Sequence, residues 1–340
     1  MLTSELDYHL PPELIAQHPL VPRDSSRLMV FERNSGRLQH RKMRDLPAFL
    51  SPGDILAYNQ SRVLRARVFA RKPTGGRVEI LFLRKRQARI WEALLKPSAR
   101  LSEGMRLEVD TEESEPVFEL LRRLGEGRWL VRNRSRLATG ELLERVGEMP
   151  LPPYIREKLK EPERYQTVYA REPGSAAAPT AGLHFTEELI SDIKAQGVAL
   201  APLTLHVGLD TFRPVSEGDL SLHAIHSESY SVPAGSYTAI LEAKLRGGRV
   251  VAVGTTAVRT LETVFSEPPR PLGGDTDLFI TPGFRFRAVD ALLTNFHLPR
   301  STLLALVMAF AGVDETRRLY GEAVRERYRF FSFGDAMLLL

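Results

Sequence analysis

Four of the eight histidines stand where an element begins or ends, each among glycine, threonine and aromatic residues. They are His184 in "PTAGLHFT", His206 in "TLHVGLDTFRPV", His226 in "HAIHSESY" and His297 in "TNFHLPRST". An imidazole titrates near neutral pH and can give or take a proton, so such a set suits general acid–base chemistry. Any one of them alone is accounted for as well by a hydrogen-bonded structural role; the joint placement carries the functional reading. No metal centre is expected, because no H-x-x-x-H or comparable ligand pair lies on one element. The chain has no cysteine, which removes thiolate ligands, disulfides and cysteine nucleophiles together. The G-x-S-x-G nucleophile turn and the G-x-G-x-x-G dinucleotide loop are absent too. Catalysis is left to oxygen and nitrogen groups.

Two strand-to-helix junctions add polar groups. In "VVAVGTTAVRTLE" an apolar strand ends at Gly254, and Thr255 and Thr256 open a helix. Arg259 and Glu262 follow three and six residues beyond Thr256, near one face. Free backbone amides at such a start bind anions, although either threonine could serve only as a cap. In "ALLTNFHLPRSTLLALVMAFAG" a buried strand ends in Asn295, Phe296 and His297. Pro299 and Ser301 then open a helix so apolar that it must be core. Strand ends of this kind are where α/β sites form.

The elements that hold these residues follow from pattern. After "MPLPPYI" (149–155), whose three prolines stop regular structure, helices alternate with apolar strands such as "VALAPLTLHV" and "RVVAVG". One such helix is "TEELISDIKAQG", with Thr186 as N-cap, two glutamates in the first turn and Gly197 as the stop. The small-residue stretch "GSAAAPTAG" reads as a mobile active-site loop. In "FRFRAVDA", Arg285 and Arg287 alternate as on a strand, either as basic surface or as a solvated face.

Upstream, short β-prone runs at 77–84, 89–95 and 105–109 and a hairpin around Gly125 and Gly127 predict a small barrel. Its first strand lies in "VLRARVFAR" (63–71). There Leu64, Ala66, Val68 and Ala70 share one face, and Arg65, Arg67 and Arg71 the other. From Arg62 to Arg106 there are 13 Lys and Arg against 3 Glu, a local charge of +10 in a chain of net +5. Such a run is either a solvated face or a surface for an anion. The expected architecture is an α/β main domain, residues 1–62 and 149–340, with an inserted small basic β-barrel domain over 63–148. At 340 residues and 43% hydrophobic content the chain can bury two cores. No apolar run reaches membrane-spanning length and the amino-terminal residues lack a secretory pattern, so a cytoplasmic location is expected.

Nearly end to end, the chain resembles the S-adenosylmethionine:tRNA ribosyltransferase-isomerases of queuosine biosynthesis. The resemblance rests on "RLMVFERNSGRLQHRKMRDLPAFLSPGDILAYNQSRV", "GEMPLPPYI", "ERYQTVYAREPGSAAAPTAGLHFT", "TLHVGLDTFRPV", "HSESY", "VVAVGTTAVRTLE", "ALLTNFHLPRSTLLALVMAFAG" and "YRFFSFGDAML", in the family's order. One departure is Asp210, where the family usually carries glycine. The resemblance implies transfer of the ribosyl portion of S-adenosylmethionine to a 7-aminomethyl-7-deazaguanine at the tRNA wobble position. Adenine and methionine are released and epoxyqueuosine results. It implies tRNA and the donor as partners, no cofactor beyond that co-substrate, and a monomer. His184 and His297 then lead as acid or base, with His206 and His226 behind them. Phe185, Phe212 and Phe296 could stack on a base or face the sulfonium, or be core. Thr180, Gly182, Thr255, Thr256 and Asn295 could approach the donor, while Arg259 and Glu262 could order the site or bind the methionine end. Arg65, Arg67 and Arg71 become the candidate RNA contacts. Asp335 is either a turn former or a late catalytic partner. A donor-dependent RNA methyltransferase and a non-catalytic RNA binder stand as the rival classes.

Overall fold

A computed structural model describes residues 1–109, 117–157, 159–208 and 215–340. Phe212 and Asp210 therefore lie outside the described residues. The chain divides into two compact units, one of Met1–Ser61, Pro153–Glu172 and Ala178–Leu340, the other of Arg62–Pro152 and Pro173–Ala177. In chain order the first unit opens with strands β1 (Arg27–Glu32), β2 (Arg37–Lys42) and β3 (Ile55–Asn59). A short strand β4 (Ser61–Val63) leads to β5 (Arg67–Arg71), β6 (Arg77–Gln87), β7 (Ile90–Lys96), β8 (Arg106–Val109), β9 (Val117–Gly125), β10 (Arg128–Asn133) and helix α1 (Thr139–Val146). After β11 (Glu172–Ser175) come α2 (Glu187–Ala195), β12 (Ala199–Leu205), β13 (Glu228–Ser231), α3 (Ala234–Leu245), β14 (Val250–Val253) and α4 (Thr255–Val264). The chain ends with β15 (Gly273–Thr276), β16 (Ala291–Asn295), α5 (Thr302–Ala311), α6 (Val313–Arg325) and β17 (Ala336–Leu339).

The second unit is a closed barrel of six antiparallel strands, ordered β10-β7-β6-β5-β8-β9. Its period-two pattern decides which side chains fill it: Val68 and Ala70 are fully buried while Arg67 and Arg71 point the other way. Phe82 and Phe118 meet in the interior with ring centroids 5.1 Å apart. The β9–β10 turn runs through Gly125, Glu126 and Gly127, all at positive φ, a run that glycine makes accessible.

In the α/β unit a nine-stranded sheet has the order β15-β13-β12-β3-β14-β16-β17-β1-β2. Strands β12, β3, β14 and β16 are mutually parallel. β14 ("VVAV") and β16 ("ALLTN") are buried at every residue, as strands covered on both faces must be. One face carries α2 and the short turn of helix Thr180–His184, in a core with Leu28, Leu56, Val251, Leu293 and Leu338. The other carries α3 and α4. Fully burying each such leucine or valine stabilises the fold by about 1.5–3 kcal/mol.

This topology builds one functional edge. The carboxyl ends of β12, β3, β14 and β16 all point to it. Because β17 runs antiparallel to β16 and β1 parallel to β17, Asp335 and Ser26 arrive at the same edge from their strands' beginnings. β13, antiparallel to β12, brings in Glu228 there. Among the described residues no helix is long and apolar enough to cross a membrane.

Two local expectations fail. In "FRFRAVDA" residues 284–290 form no strand, and only the final Ala291 belongs to one, as the first residue of β16. Its alternation comes from Phe284 and Phe286, whose rings meet each other at 5.1 Å, with Phe286 reaching Phe310 at 4.9 Å, so they pin a loop. The "SAAAP" stretch expected to be a mobile loop is buried throughout, from Ser175 to Pro179; its small side chains serve close packing.

Candidate functional site

His184 sits in the short helical turn Thr180–His184, buried, with both ring nitrogens engaged. Nδ1 lies 2.8 Å from Ser26 Oγ and Nε2 lies 3.0 Å from Asn295 Nδ2. The tautomer follows from Asn295. Its Nδ2 also donates to the Phe331 carbonyl at 3.2 Å, and its Oδ1 accepts from Thr180 Oγ1 at 2.8 Å. The amide is thereby oriented with Nδ2 toward His184, so His184 Nε2 accepts and Nδ1–H donates to Ser26. Burial, with Arg329 and Arg23 nearby, lowers the His184 pKa to about 4. The imidazole is neutral and fully occupied.

His297 presents the opposite arrangement. Its backbone is held by Tyr320 and Tyr8, and Nε2 lies 2.9 Å from Thr294 Oγ1. Nδ1 makes no hydrogen bond among the described residues. Burial lowers its pKa to about 3, so this ring too is neutral. The ring borders two cavities, one with Thr180, Gly254, Thr255, Thr256 and Asn295, the other with Tyr154, Ser301 and Ser332.

At the start of α4, Gly254 has φ +86° and ψ 159°, a combination open in practice only to glycine. An added Cβ would also come 3.4 Å from Ala181 Cβ. This conformation turns the chain from β14 straight into the helix. Thr255 and Thr256 are buried there, and Thr256 Oγ1 has no partner among the described residues. One turn on, Arg259 forms a buried ion pair with Glu228 and donates Nε to the Leu278 carbonyl at 3.0 Å. Glu228 also accepts from Gly208 N at 2.8 Å. Arg259, Glu228, His223 and His226 line a third cavity. Leu303, in the first turn of α5, borders all three cavities, which therefore form one crevice at the carboxyl edge.

Of the remaining predicted residues, His226 and Phe296 border cavities of the crevice and the others fall elsewhere. Glu262 accepts hydrogen bonds from the amides of Arg287, Ala288 and Val289 at 2.8–3.1 Å and anchors that loop; burial raises its pKa against those three bonds. Phe185 and Phe296 are fully buried, Phe296 against Tyr320, Tyr328 and Phe330, so both are core. At Gly182 an added Cβ would fall 2.2 Å from the Tyr169 hydroxyl, a close approach within the core. His206 is half-buried, its Nδ1 unpartnered among the described residues and its pKa lowered by burial against the pull of Glu172. His226 is exposed. Asp335 accepts from the amides of Arg27 and Arg329, both at 2.8 Å, and closes a turn. In the barrel unit, Arg67 pairs with Glu79 at 2.9 Å and Arg65 lies 3.6 Å from Glu144, while Arg71 is exposed. Sequence reading missed Ser26 and Thr294: Ser26 precedes an apolar strand with no motif, whereas Thr294, three residues before His297, was within reach of a local-spacing argument.

Residues 3–339 match the family described as "Queuosine biosynthesis protein". The chain is 55% identical to the S-adenosylmethionine:tRNA ribosyltransferase-isomerase of Rubrobacter xylanophilus, covering 100% of this chain and 98% of that one. It is 54% identical to the enzyme of the same name from Symbiobacterium thermophilum, covering 100% of both. The crystal structure of S-adenosylmethionine tRNA ribosyltransferase from Thermotoga maritima matches over 99% of this chain and 100% of that chain, at 40% identity and a TM-score of 0.56.

Proposed function

Because this chain belongs to the queuosine biosynthesis protein family, we propose that it transfers and isomerises the ribosyl portion of S-adenosylmethionine onto tRNA, at a 7-aminomethyl-7-deazaguanine wobble base. The reading takes the enzyme as a cytoplasmic monomer. In this chemistry the sulfonium acidifies the ribose C5′ and a base removes a proton there. Adenine departs, the aminomethyl nitrogen attacks, and the sugar rearranges to an epoxycyclopentane with loss of methionine.

The observation that carries the assignment of roles is the free Nδ1 of His297 in the crevice at the carboxyl edge. A neutral imidazole whose other nitrogen is held by Thr294 can accept the C5′ proton or deliver one to adenine. Thr255 and Thr256 border the same cavity and suit the ribose oxygens. His184 takes the role of a positioning residue, holding Asn295 and through it Thr180.

Donor labelled in its ribose carbons tests the reading. Label is expected in tRNA, with one adenine released per transfer, and methyl-labelled donor is expected to leave tRNA unlabelled. Methyl label alone in tRNA would make the chain a methyltransferase, and neither label an RNA binder. The donor is already activated by its positive sulfur, so turnover is expected to survive chelation. Loss with EDTA and recovery on adding zinc overturns that expectation.

A further inference from the structure

Resting on the donor reading above, we infer that Thr256 and Arg259 of α4 form a strip that reads the donor's ribose and its methionyl carboxylate, the latter in the cavity lined by Gly208, His223, Glu228 and Arg259. Arg259 is spoken for at two of its three nitrogens: Nε donates to the Leu278 carbonyl and Nη1 to Glu228. Among the described residues Nη2 is buried without a partner, on a side chain 7% exposed. A buried guanidinium nitrogen without an acceptor is costly, and a ligand oxygen removes the cost through a charge-assisted bond. Thr256 Oγ1, one turn earlier on the same helix face, is the second buried polar atom there without a partner among the described residues. These two atoms belong to adjoining cavities that share Leu303. One extended ligand with an oxygen in each satisfies both.

The charge of the pocket selects the ligand class. Glu228 neutralises Arg259, and its carboxylate repels a phosphate dianion while leaving Nη2 open to a single carboxylate. Leu278, Ile280 and Leu306 line the same cavity and suit the methylenes and sulfur of an amino-acid side chain. The α-carboxylate is the donor's only anionic group, which places the methionyl end at Arg259 and the ribose at Thr256.

The test compares S-adenosylmethionine with its decarboxylated form by calorimetry, without tRNA, on the wild-type protein and on Arg259→Lys. Wild type is expected to prefer the carboxylate donor by about 10- to 100-fold, the worth of one charge-assisted bond. Arg259→Lys keeps a cation beside Glu228 but lacks the second arm of the fork, so it is expected to lose most of that preference while binding the decarboxylated donor as wild type does. Equal affinity of both donors for the wild type overturns the inference, as does a variant that weakens both alike. Should the variant not fold, the wild-type donor pair still decides. Transfer of donor ribose to tRNA, measured separately, decides the functional reading itself.

Discussion

At the scale of single residues, His184 and His297 divide the work by their hydrogen bonds. Ser26, His184, Asn295 and Thr180 form one chain, in which Thr180 and Asn295 border the cavity that His297 faces, while Ser26 and His184 line a small neighbouring cavity with Ser332. If His184 acts by orienting Asn295, removing either breaks the same unit. His184→Ala and Asn295→Ala are each expected to slow single turnover by about 100-fold, the scale of a misplaced reactive geometry. The double variant is expected to be no slower than the slower single; effects that multiply would show independent roles. The same burial sets a pH dependence. Both histidines have folded pKa values depressed from 6.5, to about 4 for His184 and about 3 for His297, so at these two sites the unfolded chain binds more protons than the folded one as pH falls from 6.5 to those values. Their contribution is present above pH 6.5 and is lost as pH falls toward 4 and then 3. Urea unfolding at pH 7, 5.5 and 4.5 is expected to show falling stability, and His184→Gln a shallower fall. The positions of these histidines at element ends were legible in the sequence. Their division of labour was not, because the partners of His184 lie 158 and 111 residues away.

At the scale of elements, the junction from β14 into α4 supports the crevice, and its hinge is Gly254. Alanine there must adopt φ +86° beside Ala181, a strain of about 1–3 kcal/mol. Gly254→Ala is expected to lower unfolding free energy by about that amount and, by shifting the helix start that carries Thr255 and Thr256, to weaken donor binding. A variant with wild-type donor affinity would separate that helix start from the site. Caps and strand patterns explain why this part of the fold was readable from local sequence. Thr186 accepts from Leu189 N and Ser301 from Leu304 N as their residue types predict, and the β14 and β16 runs are buried as their apolar content requires. The misreadings share a cause. A two-residue alternation at Phe284 and Phe286, and a run of alanines after Ser175, each has a local meaning and a tertiary one. In both segments packing overrode the local pattern.

At the scale of the whole molecule, charge is the property that a polyanionic partner meets first. The Arg62–Arg106 stretch carries +10 of a total +5, leaving the remainder acidic. On the barrel the alternation that fills the interior with Val68 and Ala70 also turns Arg67 and Arg71 outward. If Arg65, Arg67 and Arg71 contact phosphates, each alanine variant is expected to lower the slope of log affinity against log salt by about 0.7–0.9, and three unchanged slopes would remove this face from the RNA site. The ion pairs sharpen the expectation. Arg67 is held by Glu79 at 2.9 Å across the β5–β6 pair, so a phosphate reaching Arg67 must compete with that carboxylate. Glu79→Gln removes the competing charge and leaves a hydrogen-bonding amide of the same length. It is expected to tighten tRNA binding several-fold at low salt, consistent with the modest worth of exposed pairs, with a smaller gain at high salt as screening grows. Filter binding at two salt concentrations separates this from a merely structural pair, whose loss would lower the melting temperature and leave tRNA affinity where it was.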